Sequence, residues 1–90
     1  MKELNKELLE RYSVLLGVDV SEKQEKVEYF SPQYAAWYDL YYNHGYTYPQ
    51  IAKATGLDYE RIKFGAERFW ILVFLEDRQA LSLLEKIKDI

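Results

Sequence analysis

Residues 48–62 read YPQIAKATGLDYERI, and this stretch decides the fold that the sequence predicts. Thr47 and Gln50 have the spacing of a capping box, in which each side chain bonds the backbone N–H of the other residue at a helix start. Gly56 can adopt the positive φ of a tight turn, and Asp58 is a favoured N-cap residue. We therefore predict two helices joined by a turn at Gly56.

The apolar residues of this stretch have the spacing of a helix-turn-helix. Ile51 and Ile62 point inward, one from each helix, and Ala52 is small where the two helices cross. Leu57 would anchor the turn to the core. We place the helix-turn-helix at about residues 48–69. The alternative is two ordinary helices that happen to be joined by a glycine turn.

Three further helices are predicted on either side of this unit. The first spans residues 2–16 and ends at Gly17, and its inner face comprises Leu4, Leu8, Tyr12, Leu15 and Leu16. Residues 18–30 are polar and indicate an ordered loop or one short helical turn. A second helix begins with Ser31 as N-cap and Pro32 at its first position, and its aromatic stripe is Tyr34, Trp37, Tyr38 and Tyr41.

The helix after Asp58 is predicted to run to about Phe74, with Ile62, Ala66, Phe69 and Val73 packed inward. A last helix would start at Asp77 and bury Ala80, Leu81, Leu84 and Ile87. Whether these two helices are separate or form one bent helix is left open. The fold class is all-α, a single compact domain of four to five helices over residues 1–90.

Composition limits the functions of this 90-residue chain. With no cysteine and a single histidine, His44, it can assemble neither a nucleophilic triad nor a histidine-rich metal site. It has no glycine-rich phosphate loop, no signal peptide and no apolar run that could span a bilayer. We expect a cytoplasmic protein that is not an enzyme and uses no cofactor, metal or small-molecule substrate.

The run FSPQYAAWYDLYYNHGYTYPQIAKATGLDYERIKFGAERF, residues 30–69, resembles the C-terminal DNA-binding domain of the bacterial replication initiator DnaA. The resemblance rests on an aromatic-rich helix, then Gly45-Tyr46-Thr47, Ile51-Ala52, Gly56 and Asp58. The family's recognition helix opens Asp-His-Ser/Thr-Thr-Val, where this chain has Asp58-Tyr59-Glu60-Arg61-Ile62. A second resemblance, to the helix-turn-helix that closes sigma factors, rests on GYTYPQIAKATGL.

Both resemblances imply a bacterial or phage protein of replication or transcription that binds double-stranded DNA. In this interpretation, the helix after Asp58 enters the major groove. Arg61 would contact guanine, while Lys53, Lys63 and Arg68 would contact phosphates. The predicted DNA-binding residues are Lys23, Lys26, Lys53, Tyr59, Glu60, Arg61, Lys63 and Arg68. Useful affinity would require a homodimer or fusion to another module.

The alternative function is a protein-interaction module on a helix-turn-helix scaffold that does not bind DNA. The net charge of −3 favours it, because phosphate neutralisation dominates DNA affinity. Residues 31–75 hold four Lys or Arg and four Asp or Glu, so the predicted reading head is only neutral. Nine tyrosines are also more than one core needs. We expect Phe64 to be buried, and some of the hydroxyls of Tyr41, Tyr42, Tyr46 and Tyr48 to reach solvent or a partner.

Overall fold

The computed structural model describes residues 3–26 and 28–90, and over these residues the chain is helical without strands. The helices are α1 (Lys6–Leu16), α2 (Gln33–Tyr38), α3 (Tyr48–Thr55), α4 (Tyr59–Phe74) and α5 (Arg78–Ile87). A π-helical turn, Asp39–Asn43, continues α2. The predicted all-α class is confirmed.

Helix α1 starts later than the sequence predicted. Asn5 is its N-cap, with a side-chain oxygen that accepts from the Leu8 N–H at 2.9 Å. The predicted first residue, Lys2, lies outside the described residues, and residues 3–5 are not helical. Gly17 ends the helix at φ 74°, as predicted.

The buried face of α1 differs by a small rotation from the predicted one. Tyr12 and Leu16 are buried as expected, but Leu9 joins them and Leu15 is 41% exposed. The prediction for Leu15 was therefore wrong. Leu8 and Leu9 are adjacent in sequence, as are Leu15 and Leu16, and adjacent residues lie only about 100° apart around the helix axis. Hydropathy alone therefore does not show which leucine of each pair completes the buried face.

The loop before α2 is held to the core by side chains of α2. The Gln33 amide donates to the carbonyls of Asp19 and Glu22, both at 2.8 Å. The Trp37 indole N–H donates to the Val20 carbonyl at 3.1 Å. This agrees with the predicted ordered loop. Helix α2 begins one residue later than predicted.

The α3–α4 corner has the predicted local structure. The capping box is present, with Gln50 N–H donating to the Thr47 hydroxyl and Thr47 N–H donating to the Gln50 side chain. Gly56 ends α3 at φ 74°, and Asp58 precedes α4 without a side-chain cap hydrogen bond. Ile51 and Ile62 are fully buried, so each of the two helices contributes one isoleucine to the core below the corner.

Helices α4 and α5 are separate. The break lies at Leu75 and Glu76, where Glu76 has φ 56°, and the Asp77 side chain caps α5 by accepting from the Ala80 N–H at 2.9 Å. Ala80 and Ile87 are buried as predicted, but Leu83 takes the place predicted for Leu81, which is 41% exposed.

The π-helical turn carries a buried polar cluster centred on Asp39. Its carboxylate accepts hydrogen bonds from the Tyr12 hydroxyl at 2.7 Å and from the Asn43 amide at 2.6 Å. His44 Nε2 lies 3.3 Å from the same carboxylate, and the His44 N–H donates to the Asp39 carbonyl at 3.2 Å. The wide i to i+5 turn thus brings His44 back over Asp39 and fixes the end of α2 to α1.

We expect Asp39→Asn to lower the free energy of unfolding by about 1–2 kcal/mol, because the amide offers one acceptor oxygen where the carboxylate offers two. Urea denaturation checks this. Tyr12→Phe supplies the matched variant, since it removes the donor from the same bond. The double variant should lose less stability than the sum of the two single losses, because both substitutions remove the same bond. An unchanged urea midpoint for Asp39→Asn would contradict the assigned role of this cluster.

Candidate functional site

The predicted DNA-contacting residues of α4 do not share one face. Tyr59 and Glu60 are exposed, whereas Arg61 and Lys63 are half-buried. Residues i and i+2 of an α-helix are about 160° apart around its axis, so Arg61 and Lys63 lie on opposite flanks. Arg61 lies on the flank of Tyr34: burial raises the pKa of Tyr34, and the Arg61 charge opposes that rise.

Arg68 already has partners within the chain. Its guanidinium carbon lies 4.6 Å from the centre of the Tyr29 ring, and its Nε–H donates to the Tyr29 carbonyl at 3.2 Å. This cation–π contact joins α4 to the loop before α2. A phosphate would have to compete with these contacts.

The remaining predicted cations are exposed but dispersed. Lys53 belongs to α3 and lines a hollow shared with α1, where Lys6 and Glu10 are its neighbours. Lys23 and Lys26 are exposed in the loop before α2. Within α4, Arg61 and Arg68 are seven residues apart and lie on the flank of Tyr34, whereas Lys63 lies on the opposite flank and Lys53 belongs to α3.

The outer face of α4 instead carries large apolar side chains. Trp70 is 44% exposed and Phe74 is 71% exposed, and Ile71 and Leu75 accompany them. Phe64 is 40% exposed, with its ring edge-on to Tyr34 at 6.2 Å. The expected burial of Phe64 was therefore wrong, because Tyr34 covers only one side of its ring.

Further aromatic rings extend this surface toward the corner. Tyr59 meets Tyr48 edge-on at 6.1 Å, and Tyr48 stacks on Tyr41 at 4.0 Å between ring centres. Tyr41 meets Tyr42 edge-on at 4.9 Å. On the other side of a shallow hollow, Trp70 stacks on Phe74 at 5.6 Å. We call this surface the aromatic face; it comprises Tyr41, Tyr42, Tyr48, Tyr59, Trp70 and Phe74.

The base of the aromatic face is ordered by Tyr48. Its side chain is buried, and it shares a hydrogen bond with the Tyr42 side chain. Burial, with the neighbouring Tyr42 and Glu67, raises the pKa of Tyr48. Tyr41 and Tyr42 are exposed above it, as predicted for some of these hydroxyls, while Tyr46 is buried.

A shallow, open hollow lies between the two groups of rings. It is lined by Tyr42, Glu67, Trp70 and Ile71, and its volume is about 570 Å³. Two aromatic rings, one aliphatic side chain and one carboxylate thus converge there. The sequence analysis did not identify Trp70 or Ile71 as surface residues.

Other kinds of site are not apparent in the described part of the chain. Residues 3–26 and 28–90 contain no group of three His, Cys, Asp or Glu side chains that could hold a metal ion. Within the same residues, none of the helices has the length and apolarity needed to cross a membrane.

Comparison with known proteins returned no matching family, no matching curated protein and no matching solved structure.

Proposed function

We propose that this chain is a protein-interaction module that docks a partner on the aromatic face of α4 and the π-helical turn. The observation that carries the proposal is the clustering of exposed aromatic rings: Tyr41, Tyr42 and Tyr59 surround the buried Tyr48, and Trp70 and Phe74 lie across the hollow. Tyr and Trp are the residue types that dominate binding energy at protein interfaces.

The size of the aromatic face suits an interface. An aromatic side chain can bury about 150–250 Å², and five rings of the face are roughly half exposed, which gives on the order of 500 Å² of apolar surface. A standard interface buries about 800 Å² on each partner. The aromatic face therefore supplies enough surface for an apolar centre, and the charged residues Glu60 and Lys63 lie on the same side of α4.

The stacking of the rings also favours tight binding. Tyr41 is stacked on the buried Tyr48, and Trp70 is stacked on Phe74, so these side chains have lost part of their rotamer freedom before a partner arrives. Preorganised side chains reduce the entropy cost of association. Rigid aromatic anchors of this kind are typical of binding surfaces.

DNA binding by the N-terminal half of α4 is the second candidate. It is supported by the glycine-hinged corner at Gly56 and by α4 backbone N–H groups that the Asp58 side chain does not cap, since such groups can bind phosphate. The resemblance to the initiator's DNA-binding domain supports it as well. Against it, Glu60 and Glu67 share the outer face of α4 with Lys63.

The interaction proposal is tested by selecting displayed random peptides on the immobilised chain. We expect enriched peptides whose affinity falls at least tenfold in Tyr42→Ala/Trp70→Ala, because truncating an interface anchor costs about 2 kcal/mol or more. The matched control is Val14→Ala/Leu15→Ala, which removes two exposed apolar side chains from α1 and should leave affinity unchanged. Selected peptides that bind Tyr42→Ala/Trp70→Ala as tightly as they bind the parent chain would contradict the proposal.

The second candidate is tested by fluorescence anisotropy of a labelled mixed-sequence duplex at low salt. Binding that weakens steeply with salt and is reduced by Lys63→Gln would favour DNA. The interaction proposal predicts no saturable binding of the duplex.

A further inference from the structure

We infer that the hollow between Tyr42 and Trp70 receives an arginine side chain of the partner. The inference rests on the proposed function and deepens it, because it names the chemical group that the aromatic face recognises. The juxtaposition that carries it is one carboxylate, Glu67, between two exposed aromatic rings.

Each wall of the hollow matches one part of an arginine side chain. The aromatic rings of Trp70 and Tyr42, which line the hollow, can attract a cation through their quadrupoles. The Glu67 carboxylate can accept two parallel N–H bonds from a guanidinium. Ile71 offers an aliphatic wall to the methylene groups of the stem, which long cationic side chains pack against apolar surface.

The Glu67 carboxylate is open to such a partner. In the chain as described, over residues 3–26 and 28–90, Glu67 forms no salt bridge. Lys63 lies one turn earlier on the same side of α4, but a lysine four residues before a glutamate is the less favourable order of a helical ion pair. Glu67 therefore has little competition within its own helix.

Charge and shape favour a guanidinium over other groups. An anion would be repelled by Glu67 and by the negative faces of the rings. An ammonium is more strongly hydrated and makes no bidentate contact, whereas a planar guanidinium stacks on aromatic rings and pairs with a carboxylate at once. The net charge of −3 also speeds encounter with a basic partner.

The inference is tested with n-butylguanidinium chloride as the probe, titrated while the Trp70 indole N–H signal is followed by NMR. We expect a saturable shift of Trp70, Tyr42 and Ile71, with n-butylammonium binding more weakly and the neutral n-butylurea producing little shift. The buried Trp37 indole, bonded to Val20, is the internal reference.

Glu67→Gln should raise the Kd of the probe about threefold to fivefold, as expected for an exposed cation site. Glu60→Gln is the matched control on the same face outside the hollow, and it should leave the Kd unchanged. Both positions are exposed, and far-UV circular dichroism will show that both variants fold. Equal shifts from butylurea, or an unchanged Kd in Glu67→Gln, would overturn the inference.

The two proposals fail differently. If selected peptides lose affinity in Tyr42→Ala/Trp70→Ala but keep it when their arginines are replaced, the aromatic face is an interface and only the arginine inference is wrong. If butylguanidinium binds in the hollow but no peptide depends on the aromatic face, the proposed function is wrong and the cation site remains.

Discussion

Raising the pH above 10 is expected to lower the free energy of unfolding until the domain unfolds in one cooperative transition. Burial raises the pKa of Tyr12, Tyr34, Tyr38 and Tyr48 above the ordinary value of 10.0. In Tyr12, the hydrogen bond to Asp39 adds to the rise. The unfolded chain therefore releases these protons near pH 10, while the folded chain retains them.

The sign of the effect follows from this difference. A raised pKa in the folded state contributes stability that is complete below the unfolded pKa and is lost as the pH rises above it. The pKa is raised furthest for Tyr12 and Tyr48, so each of these two phenols costs about 1 kcal/mol at about pH 11, against a total of about 5–15 kcal/mol for a small domain. The raised pKa values of Tyr34 and Tyr38 add to this loss.

Circular dichroism and tyrosinate absorbance, followed through the same alkaline titration, check this prediction. We expect helix loss and the ionisation of the buried tyrosines to coincide. Tyr34→Phe should reduce the pH dependence of stability, because one of the linked protons is removed. Ionisation of all nine tyrosines while the helices persist would show that the four phenols are not protected.

Gly65→Ala is expected to lower the free energy of unfolding by about 1–2 kcal/mol. A Cβ on Gly65 would lie 2.5 Å from Trp37 Cε3 and 2.6 Å from Tyr34 Cδ1. Trp37 is fully buried and cannot move aside without disturbing the core. The overpacking cost, about 1–3 kcal/mol and occasionally more, exceeds the gain of roughly 1 kcal/mol from replacing glycine by alanine inside a helix.

Urea denaturation of Gly65→Ala measures this loss, with Gln79→Ala on the exposed side of α5 as the control that should change little. Combining Gly65→Ala with Trp37→Leu separates the clash from other causes. Space vacated by the indole should make the double variant more stable than the sum of the two losses predicts. A Gly65→Ala protein as stable as its parent would mean that α2 and α4 do not approach so closely.

The sequence predicted those features that depend on a few neighbouring residues. The Thr47–Gln50 capping box, the Gly56 turn and the Asp77 cap each act within three or four residues, and each was confirmed. The prediction that Ile51 and Ile62 point inward was also confirmed, because their spacing on either side of the Gly56 turn directs both side chains to the same side of the corner.

Features that depend on distant contacts were not predictable. The π-helical turn is stabilised by Asp39 bonding Tyr12, 27 residues away, and local periodicity does not report such a pair. The choice of Leu9 over Leu15, and of Leu83 over Leu81, depends on the rotation at which α1 and α5 pack together.

The aromatic face could have been found in part. Residues 69–75 read FWILVFL, and seven consecutive apolar residues cover the whole circumference of a helix. Some of them must therefore face outward on a helix that packs against the core on one side. Which ones do so, and that Tyr42 lies beside Trp70, depends on how α4 crosses the end of α2.

The most direct test of the central proposal is an amide chemical-shift map of the uniformly labelled chain, with a selected peptide added first and a mixed-sequence duplex added afterwards at low salt. We expect saturable shifts at residues 41–42 and along residues 59–74 with the peptide, and no further shifts with the duplex. Shifts at residues 53–68 that appear only with the duplex would overturn the interaction proposal.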